Sequence, residues 1–459
     1  MRTHLGLLFL YRRALMRKRD AWTREQLASY QAQRLERLRA YALAQSPFYR
    51  EFHKGLEAAP LAELPVLTKS ELSKHFDRIV TDRHITKAAL DEHVKNRRPG
   101  TRFRHRYWVC ATSGSTGQHA VIPYGFSEWA DVLASYSRVN DWARLRWNPP
   151  RRLRIGVVGS QSRWHQSAAT SHTMRSLFLA IRRVSPADPL EMIDQQLTAH
   201  APDVLITLAG MVPALAEEAR AGRLSISPQA VISVAELLTP TARRLVRHTW
   251  NVDPYDMYAA TETAGIAAEC DHHDGLHLFE DLIIPEVVDD ANRPVPHGTP
   301  GAKLLVTVLY SRTVPLIRYQ IDDSVTLSTT ACACGRPFLK LDRIDGRVAD
   351  TLRFERSDGT LAVLHPIRFG TIFDTLDLRG WQVLRDGRNL RISIVGPVPD
   401  ELPDDVTRRT QRLLQDAVIE GVALHVEVVG EIPRHVSGKS ILVKDQLPSN
   451  RVTVPEPVG

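Results

Sequence analysis

Residues 111–117, ATSGSTG, are of the types from which a phosphate-gripping loop is made. Gly114 and Gly117 free the backbone to curl so that its N–H groups form an anion-binding nest, and Thr112, Ser113, Ser115 and Thr116 add hydroxyl donors. A Walker-type loop is ruled out, because Gln118 and His119 follow Gly117 where Lys and then Ser or Thr are required. Taken alone, the septet also suits a plain solvent loop between two hydrophobic runs. A second chemical set is thiol and imidazole. Cys332 and Cys334 form a tight C-x-C before Gly335, and Cys270 lies upstream in ECDHHDGLH. One histidine, His277 ahead of His272 and His273, completes a Cys3His set. Tetrahedral Zn2+ prefers such a set, which leaves no position for water. The competing reading is unpaired cysteines near a turn; Cys110 falls in a strand pattern and reads as core.

Elements able to hold these residues are legible around them. HRYWVCA at 105–111 is β-like and AVIPYG after the glycine loop reads as the second strand of the same hairpin. Helical periodicity covers 24–53 until Ser46 and Pro47 break it, and returns from Glu128 to Arg146. In LPVLTKSEL at 64–72, Thr68 is the expected N-cap, with Glu71 completing a capping box. RIGVVG at 154–159 reads as a short buried strand, and PDVLITLAG, VPALAEEARAG, AVISVAE and TPTARRLVRHTW then give strand, helix, strand, helix, the alternation of a parallel α/β sheet. Ligands of such sheets gather beyond the carboxyl ends of the strands, where Ala235 and Glu236, and then Thr261 and Glu262, are placed. Past residue 276 the texture turns to β, and short strands with one helix at about 403–418 close the sequence.

Six pieces stand in order: TSGSTG at 112–117, AE at 235–236, YAATE at 258–262, IRYQIDD at 317–323, GRVAD at 346–350 and PRHVSGK at 433–439. Together they resemble the adenylate-forming superfamily, in particular its phenylacetate-CoA-ligase-like branch. SPFYR at 46–50 and LPVLTKSEL at 64–72 extend the likeness over most of the chain. The resemblance implies a large N-terminal α/β domain with parallel sheets and a β-rich subdomain (1–348), and a small mobile α+β domain (349–459). It also implies ATP and Mg2+ as cofactors. Nucleotide binding then falls to Thr112, Ser113, Gly114, Ser115, Thr116, Gly117, Ala235, Glu236, Tyr258, Ala259, Thr261, Asp323 and Arg347. Glu262 is the oxygen ligand suited to Mg2+, Asp323, with Asp322 beside it as an open alternative, accepts from the ribose hydroxyls, and Lys439 is the catalytic lysine. Each has a plainer reading as a solvated side chain or a surface ion pair. Two departures stand out. Ala349 occupies the hinge position, with Asp350 one place on, and RFERSDGTLAVLHPIRF at 353–369 replaces the glycine loop and Asn-Val-Phe-Pro stretch of phenylacetate-CoA ligases. The latter looks more like the deazaflavin-coenzyme adenylyltransferase-related clade.

The expected activity is ATP-dependent adenylation of a small aromatic or acyl carboxylic acid. The acceptor is left open between CoA, an amine, a carrier protein or none, with AMP transfer to a coenzyme as the alternative and a non-catalytic nucleotide-binding regulator as the reading from another class. The acid pocket is expected among 129–142, 156–161 and 235–260. With 459 residues, two cores are needed. A net charge of +8 suits an anionic small substrate, and no long basic run points to nucleic acid. Four cysteines make no disulfide scaffold, so a cytoplasmic home is expected. MRTHLGLLFLYRRALMRKRDAW reads as a basic amphipathic helix and not a signal peptide, with weak membrane-surface contact left open. No apolar run reaches the ~18 residues a membrane span requires. A homodimer is also left open.

Overall fold

The computed structural model describes residues 2–96, 101–112, 120–146, 151–162, 164–175, 178–347, 351–364, 366–373, 375–376, 378, 380–396, 398–433 and 442–445. They divide into two compact units, one reaching Ile344 without residues 239–241, the other taking those three and the described residues from Asp345 onward.

Helices open the larger unit: α1 (Arg2–Arg19), α2 (Arg24–Gln45), α3 (Pro47–Phe52), α4 (Lys69–Lys74), α5 (Phe76–Ile79) and α6 (Lys87–Asn96). Ser46 ends α2 and caps α3, its Oγ accepting from Tyr49 N, with Pro47 at the first helical position where a missing N–H costs nothing. Thr68 caps α4 through Glu71 N at 3.1 Å. The reciprocal half of the expected capping box is not made, because the Glu71 carboxylate turns to His75 Nε2, 3.3 Å away.

β1 (Trp108–Ala111) and β2 (Val121–Tyr124) form the expected antiparallel hairpin, buried throughout. Its neck is closed by Thr112 N donating to Ala120 O and Ala120 N to Thr112 Oγ1, both 3.0 Å. The buried α7 (Phe126–Trp142) follows. Next come β3 (Leu153–Val158), α8 (Gln166–Met174), β4 (Leu179–Val184), α9 (Leu190–His200), β5 (Val204–Leu208), α10 (Val212–Arg220), β6 (Ala230–Val234), α11 (Pro240–Trp250) and β7 (Tyr255–Ala260). The strands β4-β3-β5-β6-β7 are parallel neighbours. Runs such as VLITL and AVISV are apolar on both faces because helices cover both.

The β-rich segment does two things. β8 (Ala264–Glu269) and β9 (Leu276–Leu278) continue the sheet antiparallel from β7. β10 (Ile283–Val288), β11 (Lys303–Val308) and β12 (Tyr319–Ile321) form a sheet of their own, whereas β13 (Asp323–Leu327) and β14 (Lys340–Arg347) complete the first, in the order β13-β14-β9-β8-β7-β6-β5-β3-β4. Sequence patterning showed the β texture but not this split, which long-range pairing decides.

α1 lies along α7. Its arginines meet acids of the fold: Arg12 with Asp131 at 3.1 Å, Arg13 and Arg17 with Asp141, and Arg19 with Asp281 at 3.3 Å. Leu7, Leu10 and Tyr11 stay exposed. No helix among the described residues is long and apolar enough to cross a membrane. Beneath α1, Arg138 of α7 is fully buried with Asp281, at 2.7 and 3.0 Å.

The smaller unit pairs β15 (Leu352–Glu355) with β16 (Leu361–Leu364), followed by α12 (Pro366–Phe373). β17 (Gly380–Asp386) and β18 (Asn389–Val395) form a hairpin whose two-residue turn begins at Gly387, φ 60°. After α13 (Leu402–Asp416), β19 (Ala423–Val428) adds parallel to β18 and β20 (Val443–Asp445) parallel to β17. Phe354, Phe369, Phe373, Trp381, Ile392 and Leu413 fill the core. Sequence patterning gave one helix here and missed α12, whose eight residues are too few for helical periodicity to stand out.

Asp281→Ala removes the carboxylate bonded twice to the buried Arg138 guanidinium and leaves only Asp20, 3.3 Å away, a loss of about 3 kcal/mol. The expected result is a lower urea midpoint for the tryptophan-fluorescence transition; an unchanged midpoint contradicts this account of the pair.

Candidate active site at the carboxyl ends of the parallel strands

β5, β6 and β7 end side by side, and the predicted residues lie just beyond them. Glu236 Oε2 accepts from Gly210 N at 2.6 Å, tying the loop after β6 to the loop after β5. Ala235 has φ 68°, a left-handed conformation that costs a residue with a Cβ about 1–2 kcal/mol. Such strain persists only where the surroundings over-determine the backbone. Along β7, burial falls from complete at 255–257 to partial at Tyr258, Ala259 and Ala260, so this strand opens at its carboxyl end. Tyr258 Oη donates to Asp323 Oδ2 at 2.5 Å, and Tyr319 Oη donates to Glu262 Oε1 at 3.0 Å. These two bonds join YAATE to IRYQIDD. Asp322 is exposed and accepts instead from Gln320 Nε2 at 2.6 Å, so Asp323 is the acid drawn to the strand end. Glu262 is 8% exposed, and its second carboxylate oxygen has no protein partner among the described residues. A hard oxygen so placed fits a divalent cation.

Thr112 stands at the neck of the hairpin loop. Ser113, Gly114, Ser115, Thr116, Gly117 and Lys439 lie outside the described residues, as does the side chain of Arg347, whose backbone ends β14.

Patterning missed the residues that hold this site. The Thr261 carbonyl accepts from Tyr124 Oη and from Gln166 Nε2 at 3.1 Å; Gln166 Oε1 accepts in turn from Tyr136 Oη at 2.7 Å. Tyr310 Oη reaches the Thr263 carbonyl at 2.9 Å. Burial pushes the Tyr124, Tyr310 and Tyr319 hydroxyls well above the ordinary phenol range, so they remain donors. SPFYR and LPVLTKSEL also find their purpose here. Tyr49 Oη donates to Pro315 O at 2.8 Å, while Leu67 N donates to Arg318 O and Gln320 N to Leu67 O, at 3.0 and 2.9 Å. Both segments brace the strand that carries Tyr319 and leads to Asp323. A tyrosine or glutamine in a helix or strand carries no local sign of such partners.

The thiol and imidazole set comes together away from these strand ends. Cys270, His277, Cys332 and Cys334 place their ligand atoms within 4.8 Å of one another. Cys270 and Cys332 Sγ are 3.7 Å apart and Cys334 Sγ is 3.3 Å from His277 Nε2. A tetrahedron with Zn–S bonds of about 2.3 Å has edges near 3.8 Å, so the donors are spaced for that ion. Burial raises the Cys270 thiol to about 12 and lowers His277 to about 4. Burial also pulls Cys334 upward, but the Arg336 backbone and guanidinium carry it below the usual thiol range.

No family model matches the chain. A phenylacetate-coenzyme A ligase of Thermus thermophilus is 28% identical over 352 residues, 72% of either protein. The chain is a relative of the acyl/aryl-CoA ligases of the adenylate-forming superfamily. Its fold matches a 2-hydroxyisobutyryl-CoA ligase with a bound acyl-AMP at TM-score 0.71 and 19% identity, over 94% of this chain and 92% of that one. The amide bond synthetase McbA of Marinactinospora thermotolerans matches at TM-score 0.52 and 16% identity, over 72% and 67%.

For this relative of the ligases the Cys3His set predicts a structural zinc. Elemental analysis of protein purified without added metal should give close to one zinc per chain, and chelation should lower the melting temperature, because the ion binds the folded form. Zinc-free protein, with Cys332→Ser as stable as wild type, would reduce the cysteines to packing residues.

Proposed function

We propose that the protein activates a small aromatic or acyl carboxylic acid with ATP, giving acyl-AMP and pyrophosphate. The observation that carries this reading is the convergence of Glu236, Tyr258, Glu262 and Asp323 at one end of the parallel strands, through the Tyr258–Asp323 and Tyr319–Glu262 hydrogen bonds. The likeness to ligases and the glycine-serine-threonine loop beside the Thr112 neck support it.

In this reaction a carboxylate oxygen attacks the α-phosphorus of ATP, the bond to the bridging oxygen breaks, and pyrophosphate leaves with the electron pair. Two anions must approach, so the residues' task is to place and neutralise charge. Residues 112–117 cradle the phosphates. Asp323, fixed by Tyr258, accepts from the ribose hydroxyls, and Arg347 contacts ribose and phosphate. Glu262 holds Mg2+, which supplies Lewis-acid neutralisation of phosphate oxygens when bound. Lys439 sets its ammonium on the oxygens where charge develops. The 353–369 segment, which departs from phenylacetate-CoA ligases, forms the β15–β16 hairpin and α12; the acyl group of the adenylate then passes to CoA or another nucleophile, with AMP transfer to a coenzyme as the alternative.

Pyrophosphate release against a panel of carboxylic acids, with CoA, amines or no acceptor, is the test. Lys439→Ala should lower release by about 100-fold or more, with ATP binding nearly intact, since the lysine acts on developing charge. Asp323→Asn should mainly weaken ATP binding. Full adenylation by the Ala variant, or no release with any acid, overturns the reading.

A further inference from the structure

Thr261, Glu262 and Thr263 form a three-residue loop between β7 and β8, closed by the pairing of Ala260 with Ala264. A loop of this length needs one residue in the left-handed region, a place where glycine is the usual occupant. Here that residue is Ala264, φ 56° and fully buried. The loop is therefore held in shape from outside. Its holders come from four separate parts of the chain: Tyr124 at the end of β2, Gln166 at the start of α8, Tyr310 beyond β11 and Tyr319 at the start of β12. Each residue of the loop receives at least one of these donors, at the carbonyl before Glu262, at its carboxylate and at the carbonyl after it.

We propose that Tyr124, Tyr310 and Tyr319, with Gln166, are positioning residues that clamp the 261–263 loop and aim the free oxygen of Glu262 at the divalent cation accompanying the nucleotide. The inference rests on the metal role of Glu262 proposed above. Tyrosine suits the task because a rigid ring carries its hydroxyl to a fixed point with only two side-chain torsions to freeze. Tyr319 holds the carboxylate itself, and Tyr124 and Tyr310 hold the backbone on either side of it. Tyr124 also follows directly on the loop 112–117 through β2, so one strand joins the phosphate-gripping loop to the residue that holds the cation.

The test is Mn2+ binding to the full-length protein with ATP, read by electron paramagnetic resonance and needing no acid substrate. Tyr319→Phe and Tyr124→Phe each remove one hydroxyl and should weaken Mn2+ about 10-fold or more, as losing a partner of a metal ligand does. ATP binding without metal should be unchanged. Ala264→Gly relaxes the loop without removing a donor; it should weaken Mn2+ binding with no drop in melting temperature, a split that a purely structural role does not produce. If Glu262→Gln weakens Mn2+ while all three variants bind it like wild type, the clamp is overturned alone. If Glu262→Gln also binds Mn2+ like wild type, the metal role falls with it.

Discussion

The fully buried pair of Arg138 and Asp281 is the constraint on which the larger unit depends. Removing both charges from water costs several kcal/mol per ion, so the pair persists only with close geometry and further partners. It has both. Burial pulls the Asp281 carboxyl upward, yet Arg138 and Arg19 together hold it below its ordinary range. Arg138 also faces Asp20 at 3.3 Å and lies 4.9–5.4 Å from the ring centroids of Trp142, Phe279 and Phe338. One ion pair thereby fixes α1, α7 and the turn between β9 and β10 against each other.

The strand that leaves the candidate site is seated on that base. β8 packs on α7 so closely that a Cβ at Gly265 would stand 2.8 Å from the Phe279 ring and 3.2 Å from Ser135 Cβ. Glu128, at the other end of α7, accepts from Gly125 N, Arg312 N and Thr313 N at 2.6–2.8 Å and from Thr313 Oγ1 at 2.5 Å, securing the segment before β12. Glu262 and Tyr319 thus sit on parts of the chain anchored to different turns of one helix, at Ser135 and Glu128. The basic residues of α1 belong to the same design, since most of their charge is turned toward Asp131, Asp141 and Asp281 and away from solvent. The more exposed of these pairs, Arg17 with Asp141, adds little stability, because water screens it and holding the long side chain still costs entropy.

Stability and chemistry are separated within the unit. The Cys3His cluster draws together Cys270 after β8, His277 in β9 and Cys332 and Cys334 between β13 and β14, where a bound metal would crosslink the antiparallel half of the large sheet. The strand ends near Ala235 and Thr261 belong to the parallel half and its border, where strained alanines replace the glycines their backbone angles favour.

The sequence by itself determined β3, β5, α10, β6 and α11 of the parallel sheet, the β1–β2 hairpin, the break at Ser46 and Pro47, the N-cap at Thr68, and the cysteines Cys270, Cys332 and Cys334 with His277 ahead of His272 and His273. Each is marked locally, by apolar period, by a capping side chain or by residues of rare chemistry at tight spacing. Only the tertiary structure decided that the β-rich segment divides between two sheets, that Asp323 and not Asp322 meets Tyr258, and that Tyr124, Gln166, Tyr310 and Tyr319 converge on residues 261–263. Those facts are pairings between residues from 47 to 137 positions apart. A tyrosine in a strand has the same local pattern whether its hydroxyl meets water or a carbonyl brought to it by another part of the chain. Closing such long loops is entropically costly and is repaid only by the assembled core, so no short window of sequence records which partners meet.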